Sequence, residues 1–129
     1  MAVLSASSIQ NEFFQVKRNG DLAIIIPSPE VENLPENLIR PAADMTLAPL
    51  KVDPPTSLII DLSAVRYFGS AFISFLLRCH LLARNAGSEL VLAGCSDRIR
   101  ELLRMTQLDT LWALYDSRNE AIEALGGMD

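Results

Sequence analysis

The sequence predicts an α/β protein with a mixed β-sheet, and three observations support this class. First, Asn19-Gly20 separates two β-prone runs, the pattern of a tight antiparallel hairpin, because a type I′ turn needs positive φ at both central residues. Second, residues 58–62 (Leu-Ile-Ile-Asp-Leu) form an almost continuous apolar run, which is typical of a strand buried on both faces. Third, strands alternate with helices from residue 57 onward, which implies parallel pairing through right-handed crossovers.

The first half of the chain is predicted to be a hairpin followed by an irregular connection. The hairpin strands are expected at about 12–18 and 21–27. All seven prolines then occur between Pro27 and Pro55. Because proline supplies no amide inside a helix or strand, residues 27–57 are predicted to be a proline-rich connection, with one or two short helices broken at Pro41.

The second half is predicted to contain three helices and two further strands after the buried one. The first helix opens at Gly69-Ser70, runs to about Asn85 and ends at Gly87 in the left-handed conformation. Strands follow at 89–93 and 111–115. Between them, Ser96 is the expected N-cap of a helix that buries Ile99, Leu102, Leu103 and Thr106. The last helix begins with the capping box Ser117–Glu120 and stops at Gly126.

Length and composition indicate one folded domain, residues 1–129. Half of the residues are apolar and 21% are charged, which is ample material for a core. The net charge of −5 opposes nucleic acid and anionic membranes as partners. Residues 1–10 lack the basic start and apolar stretch of a leader, and no long apolar run predicts membrane insertion, so we expect a cytoplasmic protein.

The residues that carry chemistry do not assemble into a catalytic or cofactor site. His80, the only histidine, lies in an apolar helix beside Cys79, and we expect it to be structural. Cys79 and Cys95 are expected to be core thiols, and the scattered glycines form no phosphate-binding loop. We therefore expect a non-enzyme with no cofactor and no metal. Most of the isolated aspartates are expected to serve as turns, caps and solvated surface: Asp44, Asp53, Asp61, Asp97 and Asp109. Arg98, Arg100 and Arg104 are expected to form a solvated face in preference to a phosphate site.

One segment, residues 61–72, stands out as a candidate interaction site. Asp61 ends the buried strand, and its carboxylate is expected to accept amides of the following loop, which is a structural role. The loop carries Tyr67-Phe68 and delivers Ser70 to a helix start, where a phosphate would be tolerated; alternatively, Ser70 simply caps the helix.

On the helix itself, the spacing predicts three faces. The core side is expected to hold Phe72, Phe75, Leu76, Cys79, Leu82 and Ala86. A polar stripe is expected to run along Ser70, Ser74, Arg78 and Asn85. The apolar Ile73, Leu77 and Leu81 flank that stripe and are expected either to pack partly against a neighbouring helix or to leave an edge open for a partner.

At this segment the sequence resembles the STAS family, which includes bacterial anti-sigma factor antagonists. The resemblance extends from about residue 58 to 125 and includes the strand-loop-Ser-helix segment and Met105-Thr106-Gln107-Leu108 at a helix end. It implies a sheet of four to five strands with the hairpin at its start and helices mainly on one face. Family members usually carry Asp-Ser-Ser-Gly or Asp-Ser-Thr-Gly where this chain has Gly69-Ser70-Ala71-Phe72, so Ala71 occupies the usual phosphorylated position.

The resemblance implies a partner-switching module whose partner is an anti-sigma factor or GHKL-type serine kinase. Ser70 is the one remaining phosphorylation candidate, and binding without a switch is the favoured expectation. The expected docking residues are Tyr67, Phe68, Gly69, Ser70, Ile73, Ser74, Leu77 and Arg78. The alternative is a small-molecule or lipid-binding domain that uses apolar residues near Phe68, Phe72 and the proline-rich connection. The sequence leaves the oligomeric state open.

Overall fold

The sheet is mixed, with six strands in the described part of the chain. A computed structural model describes residues 8–10 and 13–126. The strands are β1 (Ser8–Gln10), β2 (Phe14–Asn19), β3 (Leu22–Pro27), β4 (Ser57–Asp61), β5 (Glu89–Ala93) and β6 (Ala113–Tyr115). They lie side by side in chain order, with β1–β2 and β2–β3 antiparallel and the remaining pairs parallel.

The predicted α/β class and mixed sheet are confirmed. Five strands correspond to the predicted ones, and the hairpin between β2 and β3 is confirmed. The expected turn type is wrong: Asn19 pairs with Leu22, so Gly20 and Asp21 are the central residues, and only Gly20 has positive φ. The short edge strand β1 was not predicted and makes the sheet one strand wider than the upper expectation. Two expectations fall on residues outside the described ones. The first strand was expected to begin at residue 12, and the segment expected to lack a leader includes residues 1–7.

Three helices cover one face of the sheet and a fourth covers the other. They are α1 (Glu36–Val52), α2 (Ser70–Ala86), α3 (Asp97–Met105) and α4 (Arg118–Ala124), with a 3-10 turn at Pro29–Asn33. The larger buried cluster joins α1, α2 and α3 to inward residues such as Ile25, Ile60 and Leu92. The smaller cluster places Ala121 of α4 against Ile59 and Val91. None of the helices in the described ranges is long and apolar enough to cross a bilayer.

The proline-rich connection contains a continuous helix, so the expected break at Pro41 is wrong. Helix α1 runs for 17 residues through both Pro41 and Pro49. Each proline withholds the amide that would bond the carbonyl four residues earlier, at Asn37 and Met45. Both residues are exposed, so water can satisfy their carbonyls while the opposite side of α1 stays buried. The prolines therefore lie where the helix tolerates them.

Two of the four residues that were expected on the core side of α3 are fully buried. Ile99 and Leu103 are buried, Leu102 is partly buried and Thr106 is exposed, because the helix ends at Met105 and Thr106 is already its C-cap. Gln107 follows with φ of +62°, the only non-glycine residue with positive φ among the described ones. This left-handed residue lets the amide of Leu108 donate to the carbonyl of Leu103 at 2.8 Å and close the helix end.

The left-handed backbone at Gln107 predicts that glycine stabilises the protein there. We expect Gln107→Gly to raise the free energy of unfolding by about 0.5 to 1 kcal/mol, because relief of the left-handed strain exceeds the added entropy of the unfolded chain. Gln107→Ala is the matched control and keeps the strain. Urea unfolding of the three proteins measures the effect, and equal stability of the Gly and Ala variants would contradict it.

Candidate functional site

The loop between β4 and α2 is anchored by the carboxylate of Asp61. This side chain is 4% exposed although it lies at the end of a strand. Its Oδ1 accepts hydrogen bonds from the Ser63 amide at 3.0 Å and from Ser63 Oγ at 2.6 Å. Its Oδ2 lies 3.2 Å from Nε of Arg118, the first residue of α4. The buried charge is therefore paired and hydrogen-bonded, as a carboxylate in this position requires.

The end of β5 approaches this loop so closely that only glycine fits there. Gly94 has φ of +72°, and a Cβ at this position would lie 2.9 Å from Ser63 Cβ and 3.1 Å from Asp61 Oδ1. The Leu62 amide also donates to the Ala93 carbonyl at 2.8 Å. Gly94 is not among the residues predicted from the sequence, although a glycine directly after a buried strand is a usable sign of close backbone approach.

Farther along the loop, Phe68 is an anchor and does not offer its side chain to a partner. It is 2% exposed, and its ring lies 5.2 Å from that of Phe72. Val65 is buried beside it, and the Arg66 amide donates to Glu32 Oε2 at 2.9 Å. The expectation that the Phe68 side chain contacts a partner is therefore wrong, because the side chain is buried in the core. Because Phe68 and Phe72 are both buried, these rings do not favour the alternative of a lipid or small-molecule site.

Tyr67 points outward and is held by a cation–π contact. It is 39% exposed, and the Arg98 guanidinium lies 5.1 Å from its ring centroid. Arg98 is thus more than the solvated charge expected from the sequence. Its helix neighbours make ion pairs, Arg100 with Asp116 at 2.9 Å and Arg104 with Glu101. The exposed tyrosine therefore has a defined position at the start of the candidate surface.

Helix α2 begins without a side-chain cap. Gly69 is the N-cap residue, and Ser70 is the first helical residue. The alternative that Ser70 caps the helix is therefore wrong, because its hydroxyl lies one position too far along the chain. The amides of Phe72 and Ile73 both donate to the Gly69 carbonyl at 3.2 Å. Ser70 is exposed.

The outward face of α2 combines small polar and apolar side chains. Ser70, Ser74, Leu77 and Leu81 are exposed, and Ile73 is half-buried. We define the α2 surface as Tyr67, Gly69, Ser70, Ile73, Ser74 and Leu77. Of the expected core residues, Ala86 is exposed, and Ala83 is buried on that side instead.

Arg78, an expected docking residue, is engaged within the protein. It forms an ion pair with Asp44 of α1, which lies 34 positions away in the chain. The hydrogen bond and positive charge of Arg78 hold the pKa of the Asp44 carboxyl below its usual range. Arg78 therefore fixes α2 against α1 beside the α2 surface. Helix α2 itself contains Arg78 and Arg84 but no carboxylate.

His80 and the two cysteines have structural environments. Nδ1 of His80 accepts a hydrogen bond from Nε1 of Trp112 at 3.1 Å, which ties α2 to the segment before β6. Burial raises the pKa of the Cys79 thiol, and it raises the pKa of Cys95 to about 11. Both thiols are therefore protonated and inert at neutral pH. Within residues 8–10 and 13–126, no three His, Cys, Asp or Glu side chains group as metal ligands would.

Comparison with known proteins identifies relatives of this architecture. The sequence model described as "STAS domain" matches residues 5–121. A STAS domain protein from Planctomyces limnophilus, described as an anti-sigma-factor antagonist, superposes with a TM-score of 0.76 and 26% identity, covering 88% of this chain and 98% of that one. None of the curated proteins matches.

Two further structures share the fold at lower identity. An anti-sigma factor antagonist from Mycobacterium paratuberculosis has a TM-score of 0.66 and 22% identity, covering 95% of this chain and 97% of that one. The anti-sigma factor antagonist SpoIIAA in its unphosphorylated form has a TM-score of 0.73 and 14% identity, covering 90% and 98%.

The Asp61 contacts predict unequal costs for two substitutions. Asp61→Ala removes every contact of the carboxylate, and we expect it to cost about 2 to 3 kcal/mol of unfolding free energy. Asp61→Asn keeps an acceptor for Ser63 but presents an amide group to Arg118, so we expect about 1 to 2 kcal/mol. Chemical denaturation of both variants measures these costs, and two negligible values would contradict the structural role of Asp61.

The Asp44–Arg78 pair predicts a change in the acid titration of Asp44. Replacement by Arg78→Ala removes the hydrogen bond and the main nearby charge, so we expect the pKa of Asp44 to rise toward its usual value. Because the folded-state pKa is lowered, the stabilisation is present above the unfolded-state pKa and disappears as the pH falls through the folded-state value. NMR titration of the Asp44 carboxyl measures the shift. Arg84→Ala on the same helix is the control and should leave it unchanged.

Proposed function

Because the chain belongs to the STAS domain family, we propose that it is a non-enzymatic interaction module of the anti-sigma factor antagonist type. It acts in a partner-switching pathway that regulates transcription in the bacterial cytoplasm. Its partner is an anti-sigma factor or a GHKL-type serine kinase. The observation that carries this proposal is the α2 surface, where an anchored loop and a helix start present exposed side chains together.

The composition of the α2 surface supports a protein partner. Leu77 and Tyr67 are 41% and 39% exposed, so the α2 surface presents one large aliphatic and one aromatic side chain to solvent. The exposed Ser70 and Ser74 on the same surface have small, uncharged hydroxyl side chains. A surface with an aromatic residue, an aliphatic residue and adaptable hydroxyls suits a buried contact with a polar rim.

The fixed geometry of the loop supports binding with little reorganisation. Asp61 holds the start of the loop, Phe68 holds its end, and Arg98 holds the Tyr67 ring. A surface that is already ordered loses less conformational entropy on binding. These contacts favour docking by the free protein in the conformation described here.

We propose further that docking is constitutive. Ser70 is exposed at the first turn of α2, where a phosphate would be compatible with the helix dipole. Such a phosphate would nevertheless weaken a complex that buries the neighbouring Ile73 and Leu77, because the dianion would have to lose water. Ala71 carries no hydroxyl at the position that the family usually modifies, and Gly69 supplies no carboxylate beside it.

The docking proposal predicts that a charge at Leu77 of the α2 surface weakens binding. We expect Leu77→Glu to weaken binding to the GHKL-type serine kinase encoded nearest to this protein's gene by about tenfold or more, because the carboxylate would be desolvated in the interface. The control is Val52→Glu, which places the same charge at an 86% exposed residue at the end of α1. Isothermal titration with the purified kinase measures both. Equal binding by the two variants would refute the α2 surface, and no binding by the wild type would refute this class of partner.

The constitutive binding proposal predicts different behaviour for two Ser70 variants. Ser70→Ala should bind like the wild type, whereas Ser70→Asp should bind several-fold more weakly because it places a charge one turn from Ile73. Intact-mass measurement after incubation with the same kinase and ATP should show no added phosphate. Stoichiometric phosphorylation of the wild type that Ser70→Ala abolishes would show instead that Ser70 is a switch.

A further inference from the structure

The carboxylate of Asp61 bridges the two sides of the sheet. Its Oδ1 serves the loop that leads to α2, through the amide and hydroxyl of Ser63. Its Oδ2 serves α4 on the opposite face, through Arg118 Nε at 3.2 Å. The two contacts use different oxygens of a single side chain that is almost completely buried.

Helix α4 depends on contacts with the rest of the protein. It has only seven residues, and helices of that length are not stable alone in water. Its N-terminal end is capped by Ser117 Oγ, which accepts a hydrogen bond from the Glu120 amide at 3.1 Å. It buries Ala121 completely, with Ile122 and Leu125 partly buried beside it. The ion pair of Arg118 is the charged contact that joins this short helix to β4.

From this geometry we propose that α4 is a latch for the β4–α2 loop, so that release of α4 from the sheet loosens the loop that carries the α2 surface. When α4 leaves, Arg118 leaves with it and the buried carboxylate loses its counter-charge. The side of the carboxylate that α4 had covered is then open to water, and hydration of the charge competes with its hydrogen bonds to Ser63.

Gly94 makes the loop sensitive to such a movement. A Cβ at that position would come within 3.1 Å of both Asp61 Oδ1 and the Ser63 amide, so the end of β5 lies directly against the carboxylate and the start of the loop. Any reorientation of Asp61 therefore changes the packing of Ser63 at the start of the loop. Coupling is reciprocal, so a molecule that fixes the loop also strengthens the attachment of α4.

The coupling itself does not depend on the proposed docking, but its use in regulation rests on the proposed function. A ligand or modification that detaches α4 would weaken docking on the far side of the sheet, and a partner on the α2 surface would protect α4. This places a control point for the α2 surface on a helix outside that surface.

Amide hydrogen exchange of the full chain tests the latch without any partner. The reporters are the amides of Ser63, in the loop, and Ala121, which donates to the Ser117 carbonyl at 3.1 Å within α4. We expect Arg118→Gln to speed exchange at both amides by about tenfold, because local opening of α4 and of the loop share one event. Asn119→Ala, an exposed neighbour on α4, is the control and should leave Ser63 unchanged.

The outcomes separate a latch from independent local effects. Faster exchange at Ala121 with unchanged exchange at Ser63 in Arg118→Gln would overturn the coupling. If Arg118→Gln also speeds hydrogen exchange at the amides of Ile59 and Ile60, the whole chain has opened. In that case Arg118→Lys distinguishes the latch from a general loss of stability. That variant keeps the charge, and restoration of both reporters together supports the latch, whereas restoration of one alone overturns it.

Discussion

The buried carboxylate of Asp61 is the constraint on which the arrangement of the candidate site depends. A charge that is 4% exposed must be satisfied on both oxygens, and the chain satisfies it with the loop on one side and α4 on the other. This requirement fixes how the chain leaves β4. It also requires glycine at residue 94, because the end of β5 lies against the same group. The path of the loop to α2 follows from these contacts.

Helix α2 is the central element of the larger layer, and its contacts explain why one face of it remains available. The Arg78–Asp44 pair holds it to α1, and the His80–Trp112 hydrogen bond holds it to the segment before β6. The Phe75 ring stacks on Phe14 of β2, with centroids 4.4 Å apart, and fixes α2 to the sheet below. With three sides occupied, Leu77 and Leu81 have no neighbour to cover them, which accounts for their exposure.

Local patterns in the sequence predicted the regular elements well. The apolar run of β4 and the Ser117 cap of α4 each specify short-range structure, and both appear as expected. The Asn-Gly pair predicted the hairpin but not its turn, because Gly20 and Asp21 are the central residues and of these only Gly20 has positive φ. Helix α1 was misjudged because proline propensity is a local rule, whereas the solvent exposure of Asn37 and Met45 that makes both prolines tolerable is a property of the packed molecule.

The candidate site was only partly predictable for the same reason. The loop and the start of α2 could be found because they are contiguous in sequence. The partners of their side chains could not, since Arg118 lies 57 positions after Asp61 and Asp44 lies 34 positions before Arg78. Phe68 looked like a surface aromatic beside Tyr67, and only the turn of the loop decides which of the two rings enters the core.

The absence of carboxylates from α2 has a consequence for how the protein meets other molecules. Helix α1 has two charges of each sign, α2 has two arginines, and α3 has three arginines with two carboxylates, so these helices together carry +3. The chain as a whole carries −5, so its remaining residues carry −8. The three helices of the larger layer therefore carry a charge opposite in sign to that of the whole chain. An acidic group that comes close to these helices meets net positive charge, and this local attraction weakens with added salt.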